Sequence, residues 1–125
     1  MNNQLTVILI FVFTLLYSYT KSQDFNEMYF RAEDYVRDGN YHKAIEIYKS
    51  LLKESDDNAN VKFKLGFCYI HSATKKEKAV EYLEYASHYM SKDYNFDDAE
   101  TKKAPVETLF YLGRAYHLNY QFVKL

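Results

Sequence analysis

Residues 61–86 read VKFKLGFCYIHSATKKEKAVEYLEYA, and this stretch decides the fold. Its apolar residues recur at intervals of three and four on either side of a short polar segment at 74–77. That spacing places apolar side chains on one face of an α-helix, whereas a half-buried strand would alternate them with polar ones. The stretch therefore predicts two helices joined by a turn, with Cys68 and His71 near the end of the first.

The chain beyond residue 23 continues this helical periodicity, and only three Gly and one Pro interrupt it. Gly39-Asn40 is suited to the left-handed conformation that ends a helix, and Thr74 followed by Glu77 has the spacing of a capping box. Pro105 suits the first turn of a helix. We predict an all-α fold. Its first three helices run over about 24–38, 41–54 and 59–73. The capping box at 74–77 opens a fourth that lasts to about 90, a fifth runs over about 105–119, and a sixth begins at 122–125.

The first 22 residues have the form of a signal peptide. Their apolar run, residues 5–16, is shorter than the roughly 18 residues of a membrane-spanning helix, and Thr20 and Ser22 are small residues of the kind a signal peptidase reads. We expect cleavage between Ser22 and Gln23, which would leave no membrane span in the mature protein. Because no Lys or Arg precedes the apolar run, an uncleaved anchor is the alternative.

Charge and cysteine content exclude some classes of protein. The chain carries 16 basic and 17 acidic residues, so it has no cationic surplus with which to bind nucleic acid. The single cysteine, Cys68, cannot form an intrachain disulfide. The domain at 23–125 must therefore be stabilised by packing, and no sequence motif indicates a cofactor.

Small and tyrosine residues repeat along the chain. Ala32 and Gly66 lie 34 residues apart, as do Tyr35 and Tyr69, and the Leu-Gly-x-x-Tyr pattern that contains Gly66 returns 47 residues later at Leu112. A repeat of about 34 residues is typical of stacked helical hairpins. The predicted units are about 25–58, 59–93 and an incomplete 106–125, with an insertion at 94–105.

This pattern resembles the tetratricopeptide repeat family, whose units carry a small residue at the eighth position, Tyr at the eleventh and Ala at the twentieth. The residues that match the family pattern are Ala32, Tyr35, Ala44, Tyr48, Leu65, Gly66, Tyr69, Ala79, Leu83, Ala86, Leu112, Gly113 and Tyr116. Three positions depart from it: Arg31 replaces the usual Leu, Asp56 replaces a common closing Pro, and Leu125 stands where Ala is expected. The resemblance implies a helical-hairpin solenoid of about two and a half repeats.

The resemblance also implies a binding surface, because the first helix of each hairpin lines the concave face in this family. An aromatic surface with a few charges would suit an extended peptide or the surface of another protein. Tyr29 and Glu33 occupy positions where carboxylate-binding members of the family carry Lys and Asn, so that mode of binding is not expected. The predicted concave residues are Tyr29, Glu33, Arg37, Phe63, Phe67, His71, Phe110 and Arg114.

A signal peptide followed at once by such repeats resembles the amino-terminal part of Bacteroidetes envelope proteins that carry an OmpA-like peptidoglycan-binding domain. This resemblance implies a non-enzymatic, exported interaction scaffold in the periplasm or on the periplasmic side of the outer membrane. Its partner would then be another envelope component, and the chain would continue beyond residue 125.

The alternative is an enzyme or metal-binding protein on the same scaffold. Cys68 and His71 are three residues apart, so one side of a helix could present them as a nucleophile pair or half of a metal site. The sequence favours packing, because Tyr69 between them is a hairpin position and no further Cys or close His completes a ligand set. His42, His88 and His117 are scattered, and the acidic residues at 93–100 lack the central Gly of a calcium loop.

Overall fold

The structure is a computed structural model that describes residues 2–124, and the side chains of residues 2–120. Within this range the chain is predominantly helical, which confirms the predicted all-α class. Two very short parallel strands, which the sequence did not predict, interrupt it. The elements are α1 (Asn2–Arg37), α2 (Tyr41–Glu54), α3 (Ala59–His71), α4 (Lys78–Ser87), β1 (Met90–Ser91), β2 (Ala104–Pro105) and α5 (Thr108–Lys124).

The helices pack as consecutive antiparallel neighbours, α1 with α2 and α3 with α4, and α5 then packs against α4. The turn between α1 and α2 is built as expected, since Gly39 has a φ of +75° and its missing side chain removes the steric cost. Asn40 then caps α2 by accepting a hydrogen bond from the Lys43 amide at 3.3 Å. Asn58 caps α3 in the same way at the Val61 amide, at 3.1 Å.

The turn between α3 and α4 differs from the prediction, because the capping box at Thr74 and Glu77 does not form. Helix α4 begins at Lys78, and Glu77 makes no side-chain capping bond. Instead the Thr74 amide donates to Ser72 Oγ at 3.1 Å, and Lys75 adopts a positive φ of 59°. Local side-chain to backbone bonds of this kind compete with the start of a helix.

Helix α4 ends at Ser87, before the predicted residue 90, because the chain turns into an extended segment. The Ala104 amide donates to the Tyr89 carbonyl at 2.8 Å, and this pairing brings the two ends of the insertion together. Pro105, predicted as the first residue of a helix, lies buried in β2, where the backbone N–H that proline lacks is not needed. The Thr108 hydroxyl donates to the Pro105 carbonyl at 2.6 Å where α5 begins.

Helix α5 is continuous to Lys124, so the predicted break before a sixth helix at 122 does not occur. The expected departure from the repeat pattern at Leu125 lies outside the described residues.

The core is built where the repeat pattern places small residues. Ala32, Ala44, Ala79 and Ala86 are fully buried. Each small side chain lets a neighbouring helix approach closely and leaves room for larger core residues. The largest fully buried side chains include Tyr29, Tyr48, Leu65, Leu83 and Val61.

Gly66 marks the tightest approach between α3 and α4. A Cβ atom built on Gly66 would lie 2.7 Å from Cδ2 of Leu83 and closer still to its Cγ, and Leu83 is itself fully buried. Gly113 occupies the corresponding repeat position on α5, but a Cβ there would meet nothing within 4 Å. The same residue therefore has a packing role in one repeat and none in the other.

We predict that Gly66→Ala lowers the free energy of unfolding by about 1–3 kcal/mol, because overpacking forces α3 and α4 apart. Gly113→Ala is the matched control, since it adds a methyl group in open space and gains helix propensity. Urea unfolding followed by circular dichroism measures both. A Gly66→Ala variant as stable as its Gly113→Ala counterpart would contradict this account of the α3–α4 contact.

The amino-terminal segment forms the first half of α1 and runs into the repeat region without a break. By length and composition alone this helix could cross a membrane, and its most apolar window has no buried residue; a signal sequence has the same character. The expected cleavage point at Ser22 lies within α1. There Ser22 Oγ donates to Glu100 at 3.0 Å, and Lys21 pairs with Glu54 at 3.7 Å. Both contacts are exposed and add little stability.

Candidate functional site

A carboxylate at the centre of the fold joins three helices. Glu33 on α1 accepts a hydrogen bond from the Tyr48 hydroxyl on α2, and its other oxygen lies 2.9 Å from the Lys64 ammonium on α3. The side chains of Glu33 and Lys64 are only 22% and 11% exposed. Burial and the adjacent carboxylate raise the pKa of the Tyr48 hydroxyl far above its usual range, so this tyrosine stays neutral and donates.

Lys64 also lies between two aromatic rings. Its ammonium is 6.0 Å from the ring centroid of Tyr29 below it and 6.0 Å from that of Phe96, which belongs to the insertion. Ring faces attract a cation, so the insertion is drawn over α3 at this point. The positive charge of Lys64 is consequently balanced by Glu33 and partly covered by Phe96.

A second polar contact holds the insertion in place. Asn60 is fully buried, its side-chain amide donates to the Tyr29 hydroxyl at 3.0 Å, and its side-chain oxygen accepts from the Tyr94 hydroxyl. Its backbone amide donates to the Lys102 carbonyl at 3.1 Å. That backbone group is one of the amides at a helix start that has no partner within the helix. Asn60 therefore ties α1 and both halves of the insertion to the start of α3.

These contacts form one wall of a groove of about 260 Å³. It lies against α1, α3 and the start of α5, and the insertion borders it. Aromatic and aliphatic side chains make up most of its lining, with one lysine and one glutamate. The lining residues are Val36, Phe63, Lys64, Phe67, Phe96, Glu107 and Tyr111.

Three aromatic residues of the groove lining, Phe63, Phe67 and Tyr111, form a connected cluster that continues to His71 and Tyr41. The Phe67 ring centroid lies 5.1 Å from that of Tyr111, edge to face, and 4.3 Å from that of His71. Phe63 contacts Tyr111 at 5.9 Å, and Tyr41 stacks on His71 at 5.4 Å. Edge-to-face and offset contacts of this kind fix ring orientations. The cluster therefore presents a preformed aromatic surface.

The structure separates the predicted concave residues into two groups. Tyr29 is fully buried and Phe63 is 5% exposed, so both support the surface from inside the core. Glu33 and Lys64 bind each other, as described above. Phe67 is half-buried in the groove. His71 is exposed and lines a separate cavity with Tyr41, and its Nδ1 lies 2.9 Å from the Phe67 carbonyl oxygen.

Six of the eight predicted residues lie outside the groove lining: Tyr29, Glu33 and His71, placed above, and Arg37, Phe110 and Arg114. Arg37 is exposed and pairs with Asp34 on its own helix at 2.8 Å. Phe110 is 64% exposed and, with Arg114, lines a different apolar face of α5 around Gly113. The groove instead contains Glu107 and Tyr111, which come three residues earlier in the chain. A three-residue offset falls about 60° short of a full helix turn, so the groove is lined by a neighbouring side of α5, nearer its start.

Sequence reasoning missed five of the seven groove residues, Val36, Lys64, Phe96, Glu107 and Tyr111, and the asparagine that organises them. Tyr111 and Glu107 were missed because the repeat spacing pointed to the following turn. Phe96 was missed because it lies in the insertion, which has no counterpart in the repeat pattern. The sequence did contain a signal for Asn60. It is a polar residue between the apolar residues of the first turn of α3, just after the capping residue Asn58.

The structure separates Cys68 from His71. Cys68 is fully buried and burial raises the pKa of its thiol to about 12, whereas His71 is exposed and stacked on Tyr41. A neutral, buried thiol is a poor nucleophile and a poor metal ligand. Among the described residues, no group of three or more His, Cys, Asp or Glu side chains could hold a metal ion.

Cys68 should react slowly with thiol reagents in the folded protein. A pKa of about 12 in place of 9.0 reduces the thiolate fraction near neutral pH about a thousandfold, and burial restricts access further. Labelling with a chromogenic disulfide reagent, followed with and without urea, measures the difference. Rapid labelling of the folded chain at neutral pH would restore the case for a reactive cysteine.

Asn60→Ala should lower the free energy of unfolding by about 1–3 kcal/mol, because the hydroxyl groups of Tyr29 and Tyr94 each lose a hydrogen bond to the Asn60 side chain. The insertion at 94–105 should also become more sensitive to limited proteolysis, since it loses its side-chain bond to α3 and keeps the backbone bond to Lys102 and the contact of Lys64 with Phe96. Tyr94→Phe is the control: it keeps the ring, removes one hydrogen bond and should have a smaller effect on both measurements. Unchanged proteolysis in Asn60→Ala would show that other contacts hold the insertion.

Comparison with protein-family models, curated proteins and solved structures finds no match for this chain.

Proposed function

We propose that the protein is a non-enzymatic scaffold of the tetratricopeptide type that binds another protein in the groove along α1, α3 and α5. The observation that carries this proposal is the connected aromatic cluster around Phe67 and Tyr111, which opens to solvent beside Phe96. The first helix of each hairpin contributes to the groove. That is the arrangement expected for a solenoid whose concave face binds a partner.

The size and lining of the groove favour a protein ligand. Its volume, about 260 Å³, lies below the range of about 300–1,000 Å³ that is typical of sites for small molecules and cofactors. It is large enough to receive part of a partner's side chain. Rigid aromatic groups give a large contact area with little loss of side-chain entropy, and they are enriched where protein partners bind most strongly.

The proposed location is the bacterial cell envelope, on the periplasmic side, after removal of residues 1–22. Support comes from the exposed apolar half of α1, which has the character of a signal sequence. Removing it costs only exposed contacts such as Ser22–Glu100 and Lys21–Glu54, so the remaining domain keeps its core. The resemblance to envelope proteins with OmpA-like domains makes a further envelope component the proposed partner.

A photo-crosslinking amino acid placed at Phe96 should capture a protein partner in cells that express the full chain. Phe96 is 56% exposed at the border of the groove, so an aromatic replacement there leaves the core intact. Tyr89 is the matched control, because it is an aromatic residue of similar exposure (51%) that does not line the groove. Immunoblotting for a shifted band measures capture at each position.

Adding Phe67→Ala should weaken the band obtained at Phe96, because the partner loses the aromatic surface. Capture at Tyr89 but not at Phe96 would contradict the proposed binding face. Capture at Phe96 that is indifferent to Phe67→Ala would place the partner on the insertion alone.

A further inference from the structure

We infer that the groove receives an apolar side chain of the partner with a lysine or arginine next to it, and that Glu107 pairs with that base. This inference rests on the proposed function and specifies the kind of segment that binds. It follows from how charge is distributed over the groove lining.

The apolar part of the groove comes from three separate elements. Val36 on α1, Phe67 on α3 and Tyr111 on α5 are each half-buried, and each therefore leaves part of its apolar surface uncovered. Phe96 from the insertion stands opposite as a more exposed wall. An apolar side chain of the partner placed among these four would contact mainly carbon atoms. The free energy gained by removing its apolar surface from water is the source of affinity.

The positive charge at the groove is already neutralised. The Lys64 ammonium lies 2.9 Å from Glu33 and beside the faces of the Tyr29 and Phe96 rings. It has little remaining capacity to attract an acidic partner. Arg37, further along α1, is likewise occupied by Asp34 at 2.8 Å.

The negative charge at the groove is not neutralised. Glu107 lines the groove just before α5, its side chain is exposed, and within the part of the chain that the structure describes it makes no ion pair. The groove thus presents one uncompensated carboxylate beside an apolar surface. Electrostatic complementarity then selects a basic residue adjacent to the apolar anchor, and it disfavours an acidic one.

The insertion takes part in this selection. Tyr94, bound to Asn60, lies in edge-to-face contact with Phe96 at 4.7 Å, and so it positions Phe96 as the groove wall. The contacts of Lys64 and Asn60 therefore fix both the apolar wall and the neutralised cation. Because Lys64 is neutralised, the Glu107 carboxylate is the charge that distinguishes one partner segment from another.

A random peptide library displayed on phage, selected against the purified full chain, tests this inference. The wild-type protein should enrich peptides that place Leu, Met or Phe next to Lys or Arg. Glu107→Lys should remove the preference for the base and weaken a synthetic copy of an enriched peptide roughly fivefold or more, as measured by fluorescence anisotropy. Glu81→Lys makes the same charge change on the exposed surface of α4 and should leave selection and affinity as in the wild type.

Each outcome separates this inference from the proposed function. Enriched peptides without basic residues, or a basic preference that persists in Glu107→Lys, would overturn the role of Glu107 while leaving groove binding in place. If no peptide is enriched but Phe96 still captures a protein partner, the linear basic–apolar segment is wrong and the scaffold stands. Failure of both experiments would remove both proposals.

Discussion

The position of the insertion over the groove depends on the buried amide of Asn60. A polar side chain at the first turn of α3 would normally reduce stability, because burying an amide without partners is costly. Here its donor and acceptor are both used, by the hydroxyl groups of Tyr29 and Tyr94, and its backbone N–H binds the Lys102 carbonyl. The insertion is therefore a packed part of the fold, and it acquires a fixed position over the groove.

The ion pair between Glu33 and Lys64 serves the same surface in a different way. A largely buried pair of charges adds little net stability, since the energy lost on removing them from water offsets their attraction. The pair instead positions side chains, because Glu33 binds Tyr48 and Lys64 on two other helices at once. The close contact of Gly66 with Leu83 sets the spacing of the second hairpin. This contact and the ion pair together determine how the rings of the groove lie relative to one another.

Residue spacing was sufficient to predict the helices, the turn at Gly39-Asn40 and the burial of Ala32, Ala44 and Ala79, because each depends on neighbours in sequence or on backbone approach. Other features depended on interactions that this spacing does not show. The capping box at Thr74 is replaced by local bonds with Ser72, whereas partners distant in sequence place Pro105 in β2 and bind the Tyr29 hydroxyl. The side of α5 that faces the groove carries residues three positions before the predicted pair, because the insertion that sets the start of α5 has no counterpart in the repeat.

The insertion between α4 and α5 differs from the packed helices in how much change it tolerates. The stacked hairpins are constrained at nearly every small residue, so substitution there disturbs the packing of two helices together. The segment around Phe96 is exposed on one side and anchored at only a few points, so its length and sequence are free to vary between those points. Substitutions at the exposed positions of this loop therefore change the border of the groove without disturbing the packed helices beneath it.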